Sequence, residues 1–552
     1  MTVTRRALFA LLPLALLQFV LIPHALPAQV SSERLLHSAD EPRNWLTYSG
    51  AYSSQRYSQL KQVGPGNVKD LEMKWVFQAQ SLLSFSATPL VVDGVMYVTQ
   101  APNDIVALDA KMGRIFWTYH YSPSPGRLCC RGSVNRGVAI LGDTLFMATV
   151  DAHLLAIDAK SGRLVWNTKV AEASAAYGMT LAPLVVKNKV VVGVAGGEYG
   201  IRGFIAAYDA VSGKESWRFY TIPGPGEPGH DTWSGDSWEH GGAPAWITGS
   251  YDPDLNLIYW GTGNPGPDFN PQQRSGDNLY SDSVVALDAD TGKLKWYFQF
   301  TPHDGYDYDA TQIPVLVDAN WNGSARKLMY WGNRNGFFYV LDRASGQFLL
   351  GKPFTNVNWA SGLDDHGRPI LTPQPSGATI YPALLGATNW YSPSFSPRTG
   401  LFYMSTWQNY GMALAPGDPI EYKEGQNYMG GKFSAPEGTV GMPGMQRGAI
   451  NTWHEGNAHG VVMALDPQTG EKKWTFEMHD VTTSGVLTTA SDLLFVGGRE
   501  GFFQALDART GALLWKANLG GETAAGPMTY EVDGRQYIAI AAGHSLFVFG
   551  LR

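Results

Sequence analysis

Cysteine is nearly missing from this chain: there are two in 552 residues, side by side at Cys129 and Cys130. Charge is also scarce. Asp, Glu, Lys and Arg make up only 16% of the residues, the net charge is -7, and no block of lysine or arginine occurs. That excludes nucleic acid as a partner, which needs a basic face, and the same low charge argues against a disordered chain. Long apolar runs are missing too, save one at the amino terminus. Ala7 to Ile22 is interrupted by Pro13 and Gln18 and falls short of the roughly 20 apolar residues of a spanning helix. Arg5 and Arg6 precede it and Ala25-Leu26-Pro27-Ala28 follows, so residues 1–28 read as a cleaved signal peptide. Thr4-Arg5-Arg6-Ala7-Leu8-Phe9 loosely resembles a twin-arginine signal, and both export routes stay open. The mature chain, 29–552, is expected in the periplasm without a transmembrane anchor, where a disulfide can persist.

What is abundant is glycine (63), proline (33) and aromatic residues (12%), which suits many short strands and turns. A strand ending in Asp, a tight turn closed by Gly, and a second strand delivering a large side chain recur seven times. The aspartates are Asp109, Asp158, Asp209, Asp288, Asp342, Asp466 and Asp507. The large residues are Trp117, Trp166, Trp217, Trp296, Leu350, Trp474 and Trp515. Each unit is a hairpin whose Gly supplies positive φ, and the first three follow at about 50 residues, a propeller-blade period. The long step from Asp342 to Asp466 has room for a degenerate blade around Asn389-Trp390-Tyr391-Ser392-Pro393 and Gly400 to Met404. The expectation is an all-β, eight-bladed β-propeller in a single domain, with repeat tryptophans docked between blades. Leu71 to Phe77 would pair with the carboxy-terminal strands to close the ring.

Function should lie in what the repeat leaves unexplained. Gly196-Gly197-Glu198-Tyr199-Gly200 sets a carboxylate among glycines, and Trp260-Gly261-Thr262-Gly263-Asn264-Pro265 does the same with an amide. Thr301 to Ala310 packs Asp304, Asp307 and Asp309 together, and Asn333-Arg334-Asn335-Gly336 supplies a cation. In an extended segment Asp307 and Asp309 face one side. Together with Glu198 and Asn264 they form an all-oxygen set for a hard ion, Ca²⁺ or a trivalent lanthanide, and not for zinc. Three carboxylates would balance a trivalent ion, which favours the lanthanide. For the cysteines two readings stand: two buried thiols, or a disulfide between neighbours about 3.8 Å apart at Cα, a strained, flat ring against which a planar ligand could rest.

These motifs closely resemble the pyrroloquinoline quinone (PQQ) dependent alcohol dehydrogenases of the methanol and ethanol dehydrogenase type, over essentially the whole mature chain. The resemblance rests on the vicinal cysteines followed by Val134-Asn135-Arg136-Gly137, the Gly-Thr-Gly-Asn-Pro run, the Asp-Tyr-Asp run and the tryptophan repeats, in that family's order. It implies an eight-bladed propeller that oxidises an alcohol to an aldehyde or ketone by hydride transfer to metal-bound PQQ. It implies that Cys129 and Cys130 form a disulfide against one face of the quinone and that Trp246 supports the other. By the same resemblance Arg136, Thr149, Gly196, Gly197 and Asn389 hold the cofactor's polar edge. Arg334 lies near its reactive oxygens, Glu198, Asn264, Asp307 and Asp309 bind one lanthanide(III) or Ca²⁺ ion, and Asp307 is the catalytic base.

Departures from the family pattern fall at Ser86 in place of a glutamate, at Pro244-Ala245 before Trp246, at Thr483 in place of a tryptophan, and at Ala541 to His544. They leave the alcohol open. The sequence holds no C-x-x-C-H, so electrons are expected to pass to a separate soluble cytochrome c or similar acceptor, and a homodimer is allowed. The competing reading, a non-catalytic propeller scaffold or assembly factor, has no use for this set of polar residues.

Overall fold

In the computed structural model, which describes residues 30–124, 133–434, 458–478 and 480–552, every repeat signature is the hairpin joining the third and fourth strands of a four-stranded antiparallel blade, the seventh of which gains Tyr57–Ser58 as a parallel edge strand. The aspartate makes the turn. Asp109 Oδ1 accepts from the Lys111 N–H at 2.8 Å while its carbonyl accepts from the Gly113 N–H at 2.8 Å. A bulge beside each signature shifts the register by one residue, in blade 1 between Ala107 and Leu108. Blades 1 to 7 follow the chain as residues 90–119, 139–169, 184–220, 250–299, 315–353, 394–478 and 486–518.

Inner strands lie between neighbouring blades and are mostly apolar along their middles: Leu154, Leu155, Ala156 and Ile157 in His153–Asp158 are all fully buried. Fourth strands have a solvent face and alternate, as Leu164–Lys169 does, with Trp166 and Thr168 turned inward. The repeat tryptophans couple one blade to the next. Trp117 Nε1 donates to the Ala159 carbonyl at 3.1 Å, Trp217 Nε1 to Ala289 at 3.2 Å, and Trp474 Nε1 to Ala508 at 3.1 Å. Each ring also covers the turn glycine of the following blade so closely that a Cβ on Gly162, Gly292 or Gly511 would stand 2.5 to 2.6 Å from the indole. The signature glycine therefore answers two demands at once, a left-handed φ and a seat for the neighbour's indole. Burial of each indole contributes about 2 to 3 kcal/mol.

Blade 8 combines the two ends of the chain: Leu71–Gln78 is its outermost strand and pairs antiparallel with Ser545–Leu551. The expected closure is thus present, and Trp75 on that strand covers Gly113 of blade 1. The expected degenerate blade is not. Ser394–Ser396 and Leu401–Gln408 are the first two strands of blade 6, whose third and fourth are His459–Leu465 and Lys472–Met478. The extra length before Asp466 is an insertion in blade 6 together with the connection from blade 5. The count of eight is reached through the closing blade.

Candidate functional site

In an up-and-down blade, the loop between strands two and three and the connection to the next blade emerge at the same end, opposite the signature turns. Every expected site residue within the described part falls in such a segment. Glu198, Asn264, Arg334 and Thr149 lie between second and third strands, in blades 3, 4, 5 and 2. Arg136, Trp246, Asp307, Asp309 and Asn389 lie between blades. Cys129 and Cys130, and the expected signal peptide, lie outside the described residues.

Arg334 is the hub. Its Nη1 lies 2.6 Å from Asp309 Oδ2 and its Nη2 lies 3.0 Å from Asp307 Oδ2, while Nε donates to the Leu384 carbonyl at 2.7 Å. The segment 384–390 wraps around it: the Ala387 N–H donates to the Arg334 carbonyl at 3.0 Å, and a Cβ on Gly386 would collide with the Arg334 stem. Asp309 is held on every side. Oδ2 also accepts from Trp246 Nε1 at 3.1 Å, and Oδ1 accepts from the Asn264 N–H at 2.8 Å. Asp307 and Asp309 do face one side as expected, but the cause is different. Asp307 has φ 65, in the left-handed region, so the segment is not extended, and the arginine fork gathers the two carboxylates. The third acid of the run, Asp304, makes the turn itself by accepting from the N–H groups of Tyr306 (2.9 Å) and Tyr308 (2.7 Å).

Glu198 sits in a single 3-10 turn, Gly197–Tyr199. Its side chain keeps accessible surface although protein atoms crowd around it. Pro244 sets the spacing between this loop and the Asn264 loop: a Cβ on Gly197 or Gly263 would stand 2.8 to 2.9 Å from its ring. Proline at this departure from the family pattern thus wedges two loops together. Trp246 and Trp390 flank Arg136, whose guanidinium lies 5.0 Å and 4.4 Å from their ring centroids. Asn389 Nδ2 donates to the Leu385 carbonyl at 3.0 Å, and Oδ1 accepts from the Trp390 N–H. Thr149 is committed within its own turn, donating to Asp151 Oδ1 at 2.6 Å and accepting from the His153 N–H.

Burial pushes the Glu198 carboxyl up, with Asp309 adding and Arg334 opposing. Burial likewise holds Asp307 well above the carboxylate range, against the pull of Arg334. For Arg334 burial works against the charge, yet Asp307 and Asp309 keep its pKa above the ordinary value. Two acids escaped the sequence reading. Asp268 and Asp282 are fully buried, and neither has a hydrogen-bond partner on either carboxylate oxygen. For Asp268 the signal was present, an acid four residues after Asn264 in an otherwise apolar Pro-Gly-Pro-Asp-Phe stretch.

The donor set fits a hard cation. Carboxylate and amide oxygens prevail, and the Asn264 amide nitrogen and both Asp268 oxygens are buried without partners. Arg334 now holds two of the carboxylates, and no three His, Cys, Asp or Glu side chains among the described residues close into a cage. Half-buried Trp246, with the Arg136 guanidinium 5.0 Å from its ring centroid and Arg334 linked to its Nε1 through Asp309, supplies the aromatic face and cations that suit a flat polyanionic ring.

Fold and site together define a propeller enzyme with an acidic, arginine-bridged centre on one face. Residues 45–358 and 478–538 match the family described as PQQ: Glucose/ethanol/alcohol dehydrogenase, beta-propeller domain. The chain is 38% identical to quinoprotein alcohol dehydrogenase PedH of Pseudomonas putida, over 98% of this chain and 92% of that protein. It is 35% identical to putative dehydrogenase XoxF of Paracoccus denitrificans, over 94% and 90%. Among solved structures, quinohemoprotein alcohol dehydrogenase from Comamonas testosteroni gives a TM-score of 0.87 at 35% identity, covering 95% of this chain and 82% of that one. A europium-containing methanol dehydrogenase gives 0.84 at 32% identity, covering 94% and 100%. The chain belongs to the PQQ-dependent alcohol dehydrogenases, which sets aside the scaffold reading.

Proposed function

We propose that this protein is a periplasmic alcohol dehydrogenase that binds PQQ and one lanthanide(III) or Ca²⁺ ion at the centre described above, and passes electrons to a separate soluble cytochrome c or similar acceptor. The observation that carries this reading is the convergence of Asp307, Asp309 and Arg334 with Glu198 and Asn264 on one propeller face. Glu198, Asn264, Asp307 and Asp309 would hold the ion. Arg136, Thr149, Gly196, Gly197 and Asn389 would hold the cofactor's edge, with Trp246 against one face and the Cys129–Cys130 disulfide against the other. Thr149 would first have to exchange its bond to Asp151.

When bound, the cofactor supplies a two-electron acceptor for hydride and the ion supplies Lewis acidity. The protein supplies the rest. Asp307, fixed 3.0 Å from an Arg334 nitrogen, takes the hydroxyl proton of the alcohol as hydride leaves the carbinol carbon. Arg334 fixes Asp307 by one nitrogen and Asp309 by another, so the base keeps its position while its charge changes. Trp246 Nε1 and the Asn264 N–H hold Asp309 in place.

Export rests on the amino-terminal sequence, residues 1–28. No helix among the described residues is long and apolar enough to cross a membrane. The ion preference is drawn from the number of carboxylates and from the similarity to a europium-containing methanol dehydrogenase. Apoenzyme reconstituted with PQQ and either Ca²⁺ or La³⁺ and assayed with an artificial dye on primary, secondary and polyol alcohols tests the whole reading. Turnover is expected with both ions and more with La³⁺. Greater turnover with Ca²⁺ overturns the lanthanide preference, and no turnover with any alcohol overturns the function.

A further inference from the structure

Glu198, Asp307 and Asp309 alone would balance a trivalent ion, but the fold places Arg334 among them. With the guanidinium included, Glu198, Asp307 and Asp309 leave only two negative charges, which suits a divalent ion. A further carboxylate restores the third charge, and of the two buried, unpartnered acids it is Asp268, not Asp282, on which Glu198 acts.

Asp268 is 1% exposed, and both of its carboxylate oxygens lack partners. The nearby Arg274 acts on this acid through space but gives the Asp268 side chain no hydrogen bond: Nε donates to the Pro267 carbonyl at 3.2 Å and Nη1 to Asn278 Oδ1 at 2.9 Å. Nη2 goes to the backbone carbonyls of Asp268 and Asp304. The like charges acting most strongly on Asp268 are Glu198 and then Asp309, and Asn264 is the neighbouring side-chain donor. Asn264, 4% exposed, has its backbone pinned to Asp309 Oδ1 while its amide nitrogen has no partner. A buried carboxylate and a buried amide nitrogen, neither with a hydrogen bond of good geometry, thus lie four residues apart on one loop, near enough for the amide to act on the acid as a donor, beside the acidic centre.

We propose that Asp268 is a positioning residue of the metal site: it accepts from the Asn264 amide N–H, which turns the amide oxygen toward the ion, and it contributes the fourth carboxylate that tips selectivity to a trivalent cation. An amide can present either end to a ligand, and an acceptor on its nitrogen side decides which. Outer-sphere partners of this kind are typically worth about 10- to 100-fold in metal affinity. This rests on the reading of the centre as a metal site.

The test is direct binding to full-length apoprotein, with no turnover involved. Tb³⁺ luminescence titrations of wild type, Asp268→Asn and Asp268→Ala are repeated in competition with Ca²⁺, with emission lifetimes in H₂O and D₂O giving the bound waters. Both variants should bind Tb³⁺ about 10- to 100-fold more weakly and Ca²⁺ much less affected, and Asp268→Ala should gain a bound water. Apoprotein of Asp268→Asn should resist urea at least as well as wild type, since a buried, unpaired acid has been removed. Wild-type Tb³⁺ affinity in both variants, equal loss for both ions, or an apoprotein of Asp268→Asn less stable than wild type overturns the role of Asp268. Failure of wild type itself to bind Tb³⁺ overturns the metal reading as well.

Discussion

Gly292→Ala isolates the energy with which one blade grips the next. Gly292 closes the signature turn of blade 4 at φ +69, and an added Cβ would stand 2.5 Å from Trp217 of blade 3. The left-handed conformation costs alanine about 1 to 2 kcal/mol. Displacing the indole also breaks the 3.2 Å bond from Trp217 Nε1 to the Ala289 carbonyl, about 1 kcal/mol, and gives back part of the about 2 to 3 kcal/mol from burying the ring. The expected loss is about 3 to 5 kcal/mol, from these terms taken together. Gly323→Ala is the matched control, at φ +84 with nothing within 4 Å of its Cβ, and should cost about 1 to 2 kcal/mol. Urea unfolding followed by circular dichroism, with midpoints compared at unchanged slope, measures the difference. Equal midpoints for the two variants would refute the docking argument and leave backbone conformation as the sole demand on the signature glycine.

Asp307→Asn should keep the cofactor's absorbance in reconstituted enzyme and lose turnover by two to four orders of magnitude, about the worth of a general base; wild-type-like rates would place the base elsewhere. Exported holoenzyme should show Cys129 and Cys130 disulfide-bonded by mass spectrometry, and two free thiols would reject the flat-ring reading. Asp304, pushed up to about 6 by burial, is neutral in the folded chain at pH values where it is already ionised in the unfolded one. Its contribution to stability is therefore full below about pH 4 and is lost as pH rises toward about 6. Asp304→Asn should flatten that part of the apoprotein's stability curve, and an unchanged slope would show that another group titrates there.

Much of the fold was legible because the signature turn joins strands adjacent in sequence, so Asp, Gly and Trp recur at fixed offsets. The closing pair of Leu71 to Phe77 with the carboxy-terminal strands was legible, but that it makes a blade of its own, blade 8, was not, for the same reason. Its outermost strand, Leu71–Gln78, comes from the other end of the chain, so no hairpin joins it to its neighbour and no signature can exist. Trp515 of blade 7 consequently has no glycine turn to cover and packs edge-on against Phe503 and Phe549 instead. The seat each glycine offers to an indole was invisible too, because the contact crosses between blades, as from Trp117 to Gly162. At the site, residues that depart from the repeat were legible as types, but what holds them was not. Nothing in the spacing of Arg334 and the Asp-Tyr-Asp run says that one guanidinium bridges both acids. Pro244 read only as a departure from a pattern, although its ring spaces two loops.

The centre also explains why so rigid a frame is needed. Glu198, Asp268 and Asp307 are each pushed up by burial, and Arg334 bonds the carboxylates of Asp307 and Asp309 directly. Left free, such loops would relax by swinging their carboxylates outward. Each is prevented by a contact with no slack: Gly263 has no room beside Asp309, Gly197 none beside Pro244, and Gly386 none beside Arg334. These loops are anchored on blades 3, 4 and 5, whose inner strands are buried on both faces. The repulsion is therefore carried by the propeller core; on the metal reading proposed above a cation would relieve it, and the affinity for that ion would be set by how firmly neighbouring blades hold together as well as by the ligands themselves. By that logic, loosening the grip of Trp217 on Gly292, between the blades that carry Glu198 and Asn264, should weaken metal binding without touching any ligand.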